Sequence, residues 1–282
     1  MNNKKLLPIY RNTIFIQIII NVFSYKMNSL NSMPVIFFGH GNPMNGIEDN
    51  KVTREWTNLM KPIRRPRAIL SISAHWETHQ TRITSNSKQK TIHDFGGFPR
   101  ELHKVQYNPN GDEKLVGRIK ELLPEVVLDD SWGLDHGTWT ILRNIYPKAD
   151  VPVVQLSIDM NKTMQQHFEL AKKLRPLRDE DILIMGSGNI VHNLRKMDWG
   201  RETGFPWAVD FNENVKSAVL KKDYASVVDF QKMKVSRESA PTPEHFIPLI
   251  YILGLQRENE SSRFFTDFLE LGSVSMTGVI IQ

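Results

Sequence analysis

From Met33 onward, short apolar runs alternate with longer amphipathic stretches, and few architectures accept that pattern. The runs are Pro34-Val35-Ile36-Phe37-Phe38, Ala68-Ile69-Leu70-Ser71-Ile72-Ser73, Val151-Pro152-Val153-Val154-Gln155-Leu156-Ser157-Ile158 and Ile182-Leu183-Ile184-Met185-Gly186. Each has the length of a strand and is mostly apolar, as a strand buried on both sides is. Amphipathic stretches at about 48–60, 112–123, 137–146 and 162–177 lie between or beside them. Apolar strands separated by helices predict a sheet covered on both faces. The last third reads as more helical, around 207–221, 224–232 and 243–254, with a final strand across 272–281. No repeat or linker divides the chain, so one α/β domain is expected over 33–282. Hydrophobic residues make up 40% and charged residues 24%, which excludes a disordered chain.

Residues 1–32 read differently. Lys4, Lys5 and Arg11 precede an apolar run from Ile14 to Phe23, in the manner of a signal-peptide core. The run is too short to span a bilayer comfortably, and Ser24-Tyr25-Lys26 is a poor cleavage site. It is expected to be a dispensable extension, or the product of a start upstream of Met27 or Met33. This segment also explains the net charge of +5. It holds four of the 36 basic residues and none of the 31 acidic ones, leaving 32 against 31. A balanced body lacks the footprint of a nucleic-acid binder. Cysteine is absent, which excludes disulfides, thiolate zinc sites, iron–sulfur clusters and cysteine nucleophiles. Any transition metal must be held by His, Asp or Glu. A cysteine-free chain suits a reducing compartment, so a cytoplasmic protein without stable membrane association is expected.

The nine histidines carry the functional signal. His40 follows the first strand in Phe38-Gly39-His40-Gly41, His75 the second in Ser73-Ala74-His75-Trp76, and His192 the run that ends in Gly188-Asn189-Ile190-Val191. Ligands of open α/β sheets bind outside the carboxyl ends of the strands, so these three imidazoles could meet at one point. Imidazole suits both Zn²⁺ and Fe²⁺. The nearby glycines would permit close backbone approach. The plainer alternative is that each is a loop residue with a hydrogen bond. His245 lies in Pro241-Thr242-Pro243-Glu244-His245, where Thr242 reads as a helix cap and Pro243 as first-turn residue. His136 follows Asp135 at a loop-to-helix entry and is a candidate proton carrier; alternatively, Asp135 caps the helix and His136 is incidental. The segment His93-Asp94-Phe95-Gly96-Gly97-Phe98-Pro99 reads as a glycine-hinged loop that lines a flat site or forms a packed turn. His79, His103 and His167 read as surface or structural residues.

Six segments, taken together and in order, resemble the 4,5-DOPA extradiol dioxygenase family, of the LigB type of class III ring-cleaving dioxygenases. They are Gly39-His40-Gly41-Asn42-Pro43-Met44, Ser73-Ala74-His75-Trp76, His93 through Pro99, Trp132-Gly133-Leu134-Asp135-His136-Gly137, Gly188-Asn189-Ile190-Val191-His192-Asn193 and Pro241-Thr242-Pro243-Glu244-His245. The resemblance runs from about Met33 to the C-terminus, and no motif in it is broken. It implies a three-layer α/β/α sandwich with a mixed sheet. It also implies a single-metal enzyme that inserts both atoms of O₂ beside, not between, the two hydroxyls of a catechol such as DOPA. By motif, His40, His75 and His192 would be metal ligands, with His245 completing the set, and His136 would be the acid/base histidine. His93, Asp94 and Phe95 would shape the catechol pocket, with Trp76, Phe98 and Trp139 as candidates to cover the ring.

Relatives of this kind are described with zinc, yet zinc has no redox chemistry, so Fe²⁺ is the alternative for turnover. Four protein ligands would also close a tetrahedral site, which makes His245 a candidate for weak binding or for the substrate side. Two rival functions share these residues. A zinc-dependent hydrolase would need a carboxylate base, for which Glu244 or Asp135 could serve, and a non-enzymatic relative would only bind. The physiological catechol and the oligomeric state are not legible in the sequence.

Overall fold

The computed structural model describes residues 32–282. The expectation that residues 1–32 form a dispensable extension falls almost wholly outside them. The strands are β1 (Val35–Gly39), β2 (Ala68–Thr78), β3 (Arg82–Thr84), β4 (Val127–Asp129), β5 (Val153–Asp159), β6 (Ile182–Gly188), β7 (Ser262–Phe265), β8 (Leu269–Glu270), β9 (Val274–Ser275) and β10 (Gly278–Ile281). The principal helices are α1 (Lys51–Met60), α2 (Glu113–Leu122), α3 (His136–Ile145), α4 (Met164–Lys173), α5 (Pro206–Leu220) and α6 (Ile247–Gly254).

Eight strands form one mixed sheet in the order β4-β3-β5-β2-β6-β1-β10-β7, and β8 and β9 form a separate ribbon. The central four, β5, β2, β6 and β1, are parallel, so their carboxyl ends meet at one edge of the sheet. Alternate residues face opposite layers, as the pleat requires. Val35 and Phe37 of β1 pack into a core with residues of α2, α4, α5 and α6. Ile36 and Phe38 pack into a second core with Trp56 of α1 and with Trp139, Ile141 and Leu142 of α3. The result is the expected three-layer α/β/α sandwich.

Local chemistry sets the helix starts. Asn50 and Thr53 form a reciprocal cap on α1, and Thr163 and Gln166 form one on α4. Asp135 caps α3 by accepting the backbone N–H of Thr138. Three expectations are corrected. β2 continues past Ser73 to Thr78 through a register shift between Ile72 and Glu77, so His75 lies within the strand rather than after it. The final strand divides into β9 and β10. Thr242 does not cap α6, which begins at Ile247; its hydroxyl instead donates to Glu244 Oε1 at 2.8 Å.

Candidate active site

The carboxyl ends of β1, β2 and β6 deliver their histidines to one cleft. His40 leaves β1 with its backbone N–H bonded to Gly188 O at the end of β6. His75 sits in the irregular stretch of β2. His245 precedes α6, and its carbonyl accepts the N–H of Asn189. A Cβ on Gly188 would stand 2.1 Å from that carbonyl, so only glycine lets the 241–245 turn lie this close to the strand end. His192 bridges to Val274 of β9, and its N–H bonds to Ser239 O.

Ring nitrogens of His40, His75 and His245 all lie within 4.8 Å of one another. The Nε2 atoms of His40 and His75 are 3.1 Å apart. His192 stacks flat on His245, with centroids 3.4 Å apart and planes 11° apart. Its nitrogen groups with His245 and Glu244, whereas the other trio is made by His40, His75 and His245. All four histidines expected as ligands therefore share the cleft, but His245 is placed at its centre and His192 to one side.

The outer nitrogens of these rings are committed. His40 Nδ1 lies 3.0 Å from Ser187 Oγ. That hydroxyl donates to Gly137 O at 2.6 Å, so it must accept from His40. His245 Nδ1 donates to Glu244 Oε1 at 2.9 Å, and its Nε2 is buried without a partner. The inward nitrogens thus present lone pairs. Burial holds the imidazoles of His40, His192 and His245 below their ordinary range, with His192 pushed down to about 4, which keeps them neutral. For His75, burial acts the same way, but contact with Asp94 outweighs it and raises the ring. Two Nε2 atoms at 3.1 Å need a positive centre, either one proton or a shared metal ion. With neutral imidazoles converging and an orphaned Nε2, the residues fit a divalent cation.

His136 stands beside this cluster, its ring centroid 4.0 Å from that of His75. Asp94 lies between them. Its oxygens are 3.2 Å from His75 Nδ1 and 3.1 Å from His136 Nδ1, and Oδ1 also accepts the backbone N–H of His136. Burial would raise the Asp94 carboxyl, but the two imidazoles hold it well below the usual carboxylate range. His136 remains below its ordinary range because burial outweighs that carboxylate. Beneath the site, fully buried Asp135 accepts from Ser73 Oγ at 2.7 Å and from the Gln155 amide.

The histidines form one end of a cavity of about 370 Å³. Phe95 and Phe98 supply one apolar wall, and Leu194, Met197 and Trp199 line it toward solvent. Trp199 is 76% exposed and Leu194 54%. Asp94 and Phe95 line the cavity. Two other expected substrate contacts do not. Trp76 stacks on Trp132 at 5.6 Å, on the face of β2 opposite His75. His93 donates from Nε2 to Val105 O and supports Phe95 from behind. Trp139 is core, with its indole N–H on Ile92 O. Ser187, Gln155 and Glu270 were not singled out in the sequence. Only the small-residue run Gly186-Ser187-Gly188 at a strand end hints at the first.

The chain is similar to known proteins over most of its length. The family model of the catalytic LigB subunit of aromatic ring-opening dioxygenase matches residues 34–278. The chain is 44% identical over 256 residues to a 4,5-DOPA dioxygenase extradiol of Escherichia coli strain K12, covering 88% of this chain and 94% of that protein. It is 34% identical over 254 residues to a protein of the same name from Beta vulgaris, covering 87% and 95%. An uncharacterized Escherichia coli K12 protein of known crystal structure superposes with a TM-score of 0.78 at 41% identity, covering 89% of this chain and all of that one.

Proposed function

Because the chain belongs to the LigB family of aromatic ring-opening dioxygenases and is an extradiol dioxygenase, an oxidoreductase acting on a small molecule with O₂, we propose that it opens catechol rings in the 370 Å³ cavity, with DOPA-type catechols as substrates. The observation that carries this reading is the convergence of His40, His75 and His245 at the end of a cleft wide enough for an aromatic diol. These three would hold the metal, with His192 as the fourth imidazole in reach of His245. When bound, the metal supplies Lewis acidity that favours the catecholate over the catechol and, as Fe²⁺, the redox chemistry that O₂ requires. Zinc is the ion expected in purified protein, and Fe²⁺ the one that supports turnover.

The protein's own groups do the rest. His136, kept neutral by burial, accepts a proton from a catechol hydroxyl at Nε2, while Asp94 stays at its Nδ1 edge. His136 then returns that proton as the ring opens. Phe95 and Phe98 lie against the ring and exclude water from it. Holding ring and O₂ in one cleft replaces a rare encounter with an arranged one.

Of the carboxylates weighed for a hydrolase, Asp135 is buried and saturated with donors, and Glu244 is bonded to His245. Asp135 has no oxygen left to activate water, and Glu244 is committed through Oε1 to Thr242 and His245. No described helix is long and apolar enough to cross a membrane; residence in the cytoplasm is part of the same proposal. The test is anaerobic reconstitution of metal-free protein with Fe²⁺ or Zn²⁺, followed by O₂ uptake on 4-methylcatechol. Uptake with a yellow ring-opened product supports the reading, and its absence with Fe²⁺ bound contradicts it.

A further inference from the structure

The cavity carries charge that ring cleavage does not use. Glu270 lies on its wall, and an adjoining cavity of about 350 Å³ shares Asn42, Trp199, Glu270 and Leu271 with it and adds Gly200, Arg201 and Glu202, the last of these exposed to solvent. The Glu270 carboxylate is half-buried and makes no hydrogen bond or ion pair with any described residue. Burial, with Glu48 nearby, pushes that carboxyl up, as expected for an acid lacking a cation. Arg201 donates from Nε to Thr203 O at 2.8 Å and from Nη2 to Gly204 O at 3.3 Å, and lies over the Phe205 ring at 4.4 Å. No described carboxylate pairs with it. A carboxylate and a guanidinium therefore face one cavity without meeting.

The backbone fixes where this pair stands relative to the histidines. Glu270 of β8 is directly opposite Val274 of β9, and Val274 bridges to His192. Directly opposed side chains share a face, so His192, Val274 and Glu270 form a row along the cavity wall, two strand spacings or roughly 10 Å long. The connecting turn holds Leu271 at φ 52° and Gly272 at φ 76°, and a Cβ on Gly272 would stand 2.5 Å from the Phe205 ring. Its carbonyls accept from Asp198 N and Phe205 N, which ties the ribbon to the loop bearing Arg201.

We infer that this annex holds the zwitterionic end of an amino-acid-substituted catechol, with Glu270 taking the ammonium and Arg201 the carboxylate. The inference rests on the proposed ring-cleaving site, since the diol must lie at the histidines for the substituent to run along the row. Charge-assisted hydrogen bonds to both ends would select zwitterionic over neutral or singly charged catechols.

The test is anaerobic calorimetric titration of the metal-loaded protein with DOPA, dopamine, 3,4-dihydroxyphenylpropionate and 4-methylcatechol, for the parent, Glu270→Gln and Arg201→Gln. Thermal unfolding of each variant confirms that it is folded. Glu270→Gln is expected to weaken DOPA and dopamine about tenfold more than 4-methylcatechol. Arg201→Gln is expected to do the same for DOPA and the propionate. Equal losses on all four ligands, or a parent that binds DOPA no better than 4-methylcatechol, would overturn the inference. Substituent-selective binding without O₂ uptake on any of the four would leave the annex standing and remove the ring-cleavage reading instead.

Discussion

Ser187 accepts a hydrogen bond from Nδ1 of His40 at 3.0 Å while donating its own proton to Gly137 O. This fixes the tautomer of a ring 147 residues away and aims its Nε2 at His75 and His245. Partners of this kind set both the orientation and the basicity of an imidazole ligand. Ser187→Ala should therefore weaken metal affinity by about 10- to 100-fold, measured by competition with a chelator. Retention of parental affinity would show that the hydroxyl does not orient His40.

Asp94 touches two histidines, His75 of the His40–His75–His245 trio and His136 beside it. Asp94→Asn keeps the size but removes the charge. We expect kcat/KM on 4-methylcatechol to fall by about 100-fold, with the larger part in kcat, because both rings lose their alignment. A change confined to KM would instead make Asp94 a substrate contact.

His136→Gln should retain bound metal and lose about 10²- to 10⁴-fold in kcat, the range of a removed acid/base group. Metal analysis and O₂ uptake on the same preparation check both halves. Loss of metal from this variant would move His136 into the ligand set.

A fourth prediction concerns stability and lies away from the cleft. His167 is fully buried against the Tyr251 hydroxyl, at 3.0 Å. Burial pushes its imidazole down to about 4, while Asp159 opposes this. The unfolded chain, with its ordinary value near 6.5, then binds more protons than the native one between those limits. Stability is complete above about pH 6.5 and falls as pH drops toward 4. Between pH 7.5 and 5 the parent should lose about 2 kcal/mol more than His167→Gln in urea titrations of identically metal-loaded proteins. Equal losses would show that His167 titrates normally.

The runs that form β1, β2, β5 and β6 are legible because strands buried on both faces are mostly apolar and short. The edges are not. β3 and β4 are three residues each, too short for a period to register. The histidines at strand ends could be singled out from position alone. What could not be read was which face each neighbour takes. The irregular β2 register turns His75 into the cleft and Trp76 onto Trp132. Nor could local spacing reveal that Ser187, Asp94 and Glu244 each hold a ring nitrogen, since the Ser187 and Asp94 pairings are long-range.

The central claim is that His40, His75 and His245 hold a metal at which a catechol is cleaved by O₂. Stopped-flow O₂ consumption with a stoichiometric substrate tests it most directly, on Fe²⁺-loaded parent and on His40→Ala under identical conditions. The expected result is one O₂ consumed per catechol by the parent, a ring-opened product carrying both oxygen atoms, and neither metal retention nor uptake by His40→Ala. Uptake that yields a quinone and hydrogen peroxide, or undiminished ring opening by His40→Ala, would contradict it.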